Sequence, residues 1–345
     1  VSEPRRLRRR VATTLLLGTV FTVIMAVPAF ADPAGPTNYR SVVTSVDPDP
    51  TGVTIEVIGG DAFLSVAIAE GHTLLVEGYF GEPYLRIDPD GSVWLNTLSP
   101  ARYINQDRYG RSGVPDFADA NANPEWEQVG DGGSFAWHDH RIHWMSFDLP
   151  PVIVGDRAQS VFPWTLTMYV DGVETEISGE LLWFPGVNPF GPLLIGLVAL
   201  LPLVRHHRRV ITVPAMSGAG FGALALFTAV AQYGATPGFD RAFPVTPLIP
   251  AIGVIAGVGA LWVRSNAIRS WALAVISGIA LVWWAVSTGS ALDAPVLASA
   301  LPTSFERLAV SLSLWAGLSV VAVSGFELFG VVRRDEATAP TPSSA

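Results

Sequence analysis

The stretch Val161-Phe162-Pro163-Trp164-Thr165-Leu166-Thr167-Met168-Tyr169-Val170-Asp171-Gly172-Val173-Glu174-Thr175-Glu176-Ile177-Ser178-Gly179-Glu180-Leu181-Leu182-Trp183 decides the fold of the first half of the chain. Two runs of apolar and alternating residues flank Asp171-Gly172, and alternation with period two belongs to a strand rather than a helix. A two-residue turn matched to strand twist needs positive φ, which Gly supplies without strain. The stretch therefore predicts a β-hairpin.

Working outward toward the N-terminus, similar runs recur at residues 40–46, 53–58, 63–69, 73–79, 84–87 and 92–95. They are separated by turn chemistry: Asp47-Pro48-Asp49-Pro50, Gly59-Gly60-Asp61 and Asp88-Pro89-Asp90-Gly91. The pattern predicts an all-β domain over residues 32–186, an antiparallel sandwich, Ig-like or similar. Residues 99–133 read as a long irregular insert carrying Arg102, Tyr103, Asn105, Asp107, Arg108, Tyr109, Arg111 and Trp126. Loops of that length within a domain are functional or mobile.

Beyond Asn188 the pattern changes to long apolar runs at 187–204, 210–233, 245–263, 271–287 and 308–332. Each is near the ~20 residues that cross a hydrocarbon core, so residues 187–334 predict five transmembrane helices. Arg205, Arg208, Arg209, Arg264, Arg269, Arg333 and Arg334 fall on one side of that arrangement, and only Arg241 and Arg307 on the other. Positive residues mark the cytoplasmic side, which places the β-domain outside a plasma membrane and the C-terminus within the cell. Residues 335–345, rich in Ala, Pro, Thr and Ser, predict a disordered cytoplasmic tail. Residues 1–31 read as a signal peptide: five arginines by position 10, an apolar run at 11–27, and Ala29-Phe30-Ala31 as the cleavage site. A retained first membrane helix is the alternative.

Composition agrees and excludes several functions. Half of the 345 residues are hydrophobic and 15% are charged, as expected of a membrane protein. With no cysteine, neither a disulfide framework nor a thiolate metal site is available. Residues 32–188 hold 23 acidic residues against 7 arginines, a formal charge of −16, which repels nucleic acid and anionic lipid.

Three of the six histidines lie within Trp137-His138-Asp139-His140-Arg141-Ile142-His143-Trp144-Met145. If residues 135–145 form one strand, His138 and His140 share a face, and His residues at i and i+2 make a bidentate metal grip. His143 joins them if the strand bends, and Met145 and His72 are the remaining candidate ligands. Copper or zinc suits such a set, a cuprous ion also accepting the thioether. The other reading makes the stretch a hydrogen-bond network that binds no metal, within a non-catalytic module that docks another cell-envelope protein. The spacing His-x-His-x-x-His matches the first ligand set of metallo-β-lactamase-type hydrolases, but Ile142 stands where that set carries Asp. No nucleophile and base arrangement is visible, so an enzyme is not expected.

Several segments, Thr37-Asn38-Tyr39-Arg40, Gly78-Tyr79-Phe80-Gly81-Glu82-Pro83-Tyr84-Leu85-Arg86, Ser99-Pro100-Ala101-Arg102-Tyr103, Trp137 to Met145 and Ile177-Ser178-Gly179-Glu180-Leu181-Leu182-Trp183, resemble an uncharacterised family of actinobacterial exported membrane proteins. The resemblance implies a signal peptide, an external β-domain and C-terminal membrane helices. It implies no activity and no functional residue.

Overall fold

The hairpin forms where the alternation places it. In the computed structural model, which describes residues 34–106, 108–111, 113–206, 210–237 and 244–338, strands Gln159–Val170 and Val173–Trp183 pair antiparallel along their whole length. Asp171 and Gly172 both take positive φ, 51° and 79°, as a tight hairpin turn requires. Trp164, Leu166, Met168 and Val170 face inward from one strand, and Ile177, Leu181 and Trp183 from the other. Opposite Trp164 the register places Gly179. A Cβ there would collide with the Trp164 indole and the Val42 carbonyl, so the ring crosses the neighbouring strand only because that residue has no side chain.

The other strands, in chain order, are β1 Tyr39–Asp47, β2 Val53–Ile58, β3 Phe63–Ile68, β4 Leu74–Glu77, β5 Pro83–Ile87, β6 Val93–Asn96, β7 Trp126–Gly130 and β8 Ser134–Trp137, making the hairpin β9 and β10. They form two antiparallel sheets, of order β1-β10-β9-β4-β5-β6-β7 and β2-β3-β8. Leu64, Val66, Phe135 and Trp137 of the smaller sheet share one core with Leu74, Val76, Leu85, Ile87, Leu166, Met168 and Ile177 of the larger. Burying such side chains at about 1.5–3 kcal/mol each is what holds the two layers together.

Two differences from the sequence reading stand out. The insert is not irregular throughout: it holds a short helix, α1 (Pro100–Ile104), and the edge strand β7. Arg86 explains that edge, because its guanidinium lies over the Trp94 ring (5.4 Å) and the Trp126 ring (4.7 Å), joining three neighbouring strands. The run 135–145 is not one strand either. The strand ends at Trp137, and the chain then turns.

The register also sorts the loops. Gln159 pairs with Trp183 and Tyr39 with Trp183, so one end of the domain is the end that leads into the helices. The turns after β1, β3, β5, β7 and β9 lie at the far end. The β2–β3 turn, the β4–β5 turn, the insert and the whole segment from His138 to the start of β9 lie at the helix-proximal end.

Five helices follow: α2 Phe190–His206, α3 Thr212–Gly234, α4 Val245–Trp262, α5 Ala267–Ser287 and α6 Thr303–Thr338. Four of them, α3 to α6, are long and apolar enough to cross a membrane, while α2 has 17 residues. The last helix continues past Arg334 to Thr338, into the stretch expected to be disordered. The expected signal peptide, the loop at Asp240 and Arg241, and residues 339–345 lie outside the described residues.

Small residues set the helix contacts. A Cβ on Gly257 would sit 2.6 Å from the Ala219 amide nitrogen, and one on Gly218 would strike the Ser277 hydroxyl, so both glycines serve close helix packing within the chain. Buried hydroxyls and an indole N–H donate to carbonyls of neighbouring helices: Ser277 to Gly253 (2.6 Å), Ser270 to Ala260 (2.7 Å), Ser311 to Pro192 (2.8 Å) and Trp315 to Leu193 (3.0 Å). Strands and helices belong to one compact unit, Pro33–Ala345. They are tied by the Thr37–Val296 bridge, by Val187 N donating to Asp293 O (2.7 Å), and by Ala34 N donating to the Thr236 hydroxyl (3.2 Å).

Candidate functional site

The histidine stretch begins where β8 leaves its sheet. Trp137 pairs with Leu64, after which the Asp139 side chain captures the Arg141 backbone N–H (3.0 Å) and Ile142 N donates to Asp139 O (3.1 Å). A short carboxylate that bonds its own backbone two residues on competes with a β-ladder, and here the turn wins. Ile142 is thereby driven into the core shared by the two sheets. His138 and His140 consequently do not share the strand face on which the bidentate grip was expected.

Each histidine has a different environment. His138 is buried, stacks on Phe63 with ring centroids 4.1 Å apart, and donates from Nδ1 to the Ala62 carbonyl at 2.7 Å. His143 is 1% exposed and donates from Nε2 to the Arg108 carbonyl at 2.6 Å. Its Nδ1 is buried without a hydrogen-bond partner among the described residues. Burial, then the charge of Arg108, pushes its pKa from the ordinary 6.5 down to about 3, so the ring is neutral. His140 is half-buried, packs its ring edge against His143 (5.3 Å) and lies 6.0 Å from the Tyr79 ring. Met145 is exposed, beside Gly110. His72 is at the far end of the domain, where its Nδ1 meets Asp171 at 2.7 Å beside the β9–β10 turn. The pairing of Leu74 with Val170 puts it there, away from the other histidines. Among the described residues no group of three or more His, Asp or Glu is placed to hold a metal ion.

Around the histidines is a buried polar network. Asp139 is fully buried and takes bonds from Trp137 Nε1 (2.9 Å), Arg141 Nε (2.8 Å) and Arg141 Nη2 (2.7 Å) in addition to the Arg141 amide. Burial works against its charge, but the arginine and these donors outweigh it and hold the carboxyl below its ordinary range. Arg141 also lies over the Tyr79 ring at 4.9 Å and donates to Glu77 O at 3.3 Å. Tyr79 in turn donates to the Asn105 side chain and accepts from His140 N (2.9 Å). The Asp61 carboxylate, equally buried, meets Arg108 (2.5 Å), and its Oδ1 has no hydrogen-bond partner among the described residues. There burial wins and raises the carboxyl.

Two of the quoted segments, residues 78–86 and 99–103, meet beside this network. Buried Glu82 of the β4–β5 turn accepts from Ser99 Oγ (2.7 Å), Phe80 N (3.0 Å) and Ala101 N (3.3 Å), fastening α1. Asn38 Nδ2 donates to Phe184 O at 2.9 Å, and Trp164 Nε1 to Ser41 Oγ at 2.7 Å. Glu82 and Asp61 are members that the histidine-centred reading missed. Both stand beside glycines in turns, the one legible hint that a carboxylate there would fold back on its own chain.

On this base stand loops with exposed apolar side chains: Phe147 (81% exposed), Val154 (70%), Phe80, Phe117, Leu149 and Val152. Phe147 lies 4.5 Å from the Tyr109 ring and Phe117 lies 5.8 Å from that of Tyr103, so the network's own neighbours support them. Comparison with known proteins finds no matching family model, no matching curated protein and no matching solved structure.

Proposed function

We propose that the chain is a multi-pass membrane protein of five spanning helices whose β-domain, outside the cytoplasm, is a non-catalytic docking module for another cell-envelope protein. The observation that carries this reading is the set of exposed apolar side chains at the helix-proximal end, led by Phe147 and Phe117, above a base fixed by buried ion pairs and histidine–carbonyl bonds. Exposed apolar groups held on rigid supports are what protein interfaces select, because little ordering cost remains at binding. The Arg asymmetry of the connecting segments supports the orientation. The fifth span is supported by α2, whose 17 residues reach about 25 Å and whose Pro192 and Leu193 carbonyls bond to α6.

The test is photo-crosslinking in native membranes from probes replacing Phe147, Phe117 and, at the far end, Gly172. Discrete protein adducts from the first two and none from the third are expected. Adducts to lipid alone would end the reading. A copper- or zinc-binding role rests on the adjacent rings of His140 and His143, on His143 Nδ1, which has no partner among the described residues, and on nearby Met145. Calorimetry on the purified full chain discriminates. Saturable uptake near one equivalent, lost in His140→Ala, would install the metal reading, whereas no uptake with a lowered melting temperature in His138→Ala leaves the histidines structural.

A further inference from the structure

Where the β-domain meets the helices, a cavity of about 210 Å³ lies between Gln232 and Thr236 at the end of α3, Thr246 at the start of α4, Ser290 after α5, and Ser299 and Glu306 at the start of α6, with Ala34 to Pro36 along one side. This far exceeds the ~10–15 Å³ that a single water occupies. Among the described residues, the only charge in its lining is Glu306, 1% exposed. Its neighbour Arg307 donates instead to the carbonyls of Ala294 (2.8 Å) and Ala291 (3.3 Å).

Among the described residues, two side chains of the lining keep acceptor capacity open. Glu306 accepts from Ser299 Oγ and from Gln232 Nε2 (3.0 Å), which fills about half of the four lone-pair sites of a carboxylate. Because the Gln232 amide commits its NH2 to Glu306, its Oε1 points elsewhere, and it is buried without a partner among the described residues. Turning the amide over would set oxygen against carboxylate. Buried acceptors left unfilled are costly, and the cavity gathers a buried carboxylate, an orphaned amide oxygen and hydroxyls able to accept.

We propose that this cavity binds a small organic cation through a primary ammonium group, which Glu306 and Gln232 Oε1 receive with the hydroxyl of Thr246. An ammonium brings three N–H donors and one positive charge, matching the open acceptors of Glu306 and Gln232. The size admits an aminoalcohol, and the location at the helix ends allows two sources of the same chemistry: a free amine, or the amino headgroup of a lipid.

The experiment follows thermal unfolding of the full chain in phosphatidylcholine nanodiscs, titrated with ethanolamine or with tetramethylammonium at matched ionic strength. Ethanolamine should raise the melting temperature saturably and tetramethylammonium, which has no N–H, should not. In phosphatidylethanolamine nanodiscs the same ethanolamine response points to a free amine as the source. A melting temperature already raised, with no further response, points to the headgroup. In either case Glu306→Gln should remove the effect. Should that variant not fold, Thr246→Val, which deletes one hydroxyl with little change of shape, should weaken half-saturation about tenfold, the worth of one hydrogen bond to a charge. A response equal for both cations, one that survives Glu306→Gln, or none in either membrane overturns the proposal.

Discussion

Asp61 and Asp139 are both fully buried and both face an arginine, yet their electrostatics diverge because one collects four donor contacts and the other leaves an oxygen without a partner among the described residues. Removing one member of a well-satisfied buried pair strands the other, at a cost of about 3–5 kcal/mol. Asp139→Asn should therefore lower the melting temperature of the full chain much more than Asp61→Asn, whose carboxyl burial already disfavours as an anion. Equal effects would mean that donor count does not set the worth of these pairs. His143 adds a pH dependence of definite sign. Unfolded, it titrates near 6.5; folded, near 3, with Arg108, His140 and His138 all opposing a second charge. Between those values the unfolded state binds the extra proton, so stability falls as pH drops, by up to about 1.4 kcal/mol per pH unit for this one group. Melting temperature followed from pH 7 to pH 4 should fall more steeply in the wild type than in His143→Gln. Parallel curves would show that His143 is not the group responsible.

Among the elements, the β9–β10 hairpin was readable in full because its two determinants, alternation and an Asp-Gly turn, are local. The histidine stretch was not readable from alternation, since the outcome turned on one side chain, Asp139, taking the N–H of Arg141 out of the ladder. Nor was β7, whose five residues are held by the reach of Arg86 from two strands away. Gly179 belongs at this scale, because its lack of a side chain joins two strands and an indole. Gly179→Ala forces a collision with both the Trp164 ring and the Val42 backbone. Overpacking costs about 1–3 kcal/mol where side chains alone must yield, and a backbone atom cannot yield as cheaply. The melting temperature should drop sharply, and Trp164→Leu should recover part of the loss in the double variant. Strictly additive losses would show that the ring is not what Gly179 accommodates.

At the scale of the whole molecule, the sheet topology assigns the plain tight turns to one end of the β-domain and the insert, the histidine stretch and the apolar loops to the end that joins the helices. That polarity could not be seen in the sequence, where the two kinds of loop alternate along the chain, and it emerges only when each strand's direction is known. The helical half was legible as apolar runs, except that α2 sits at the lower limit of length and the order of crossings hangs on it. If α2 crosses, the segment after it lies opposite the β-domain, and every later connection takes its place from there. Packing favours the crossing: Gly196 lies against Ser311 and Trp315 of α6, so α2 runs beside a helix long and apolar enough to span. The absence of cysteine makes the matter testable with single substitutions on an unreactive background. In intact cells an impermeant maleimide should label Gly172→Cys, at the exposed far turn of the β-domain. It should label Val210→Cys, in the connection between α2 and α3 and half-exposed, only after the membrane is permeabilised. Labelling of Val210→Cys without permeabilisation would place both ends of α2 on one side and reduce the spans to the four longer helices.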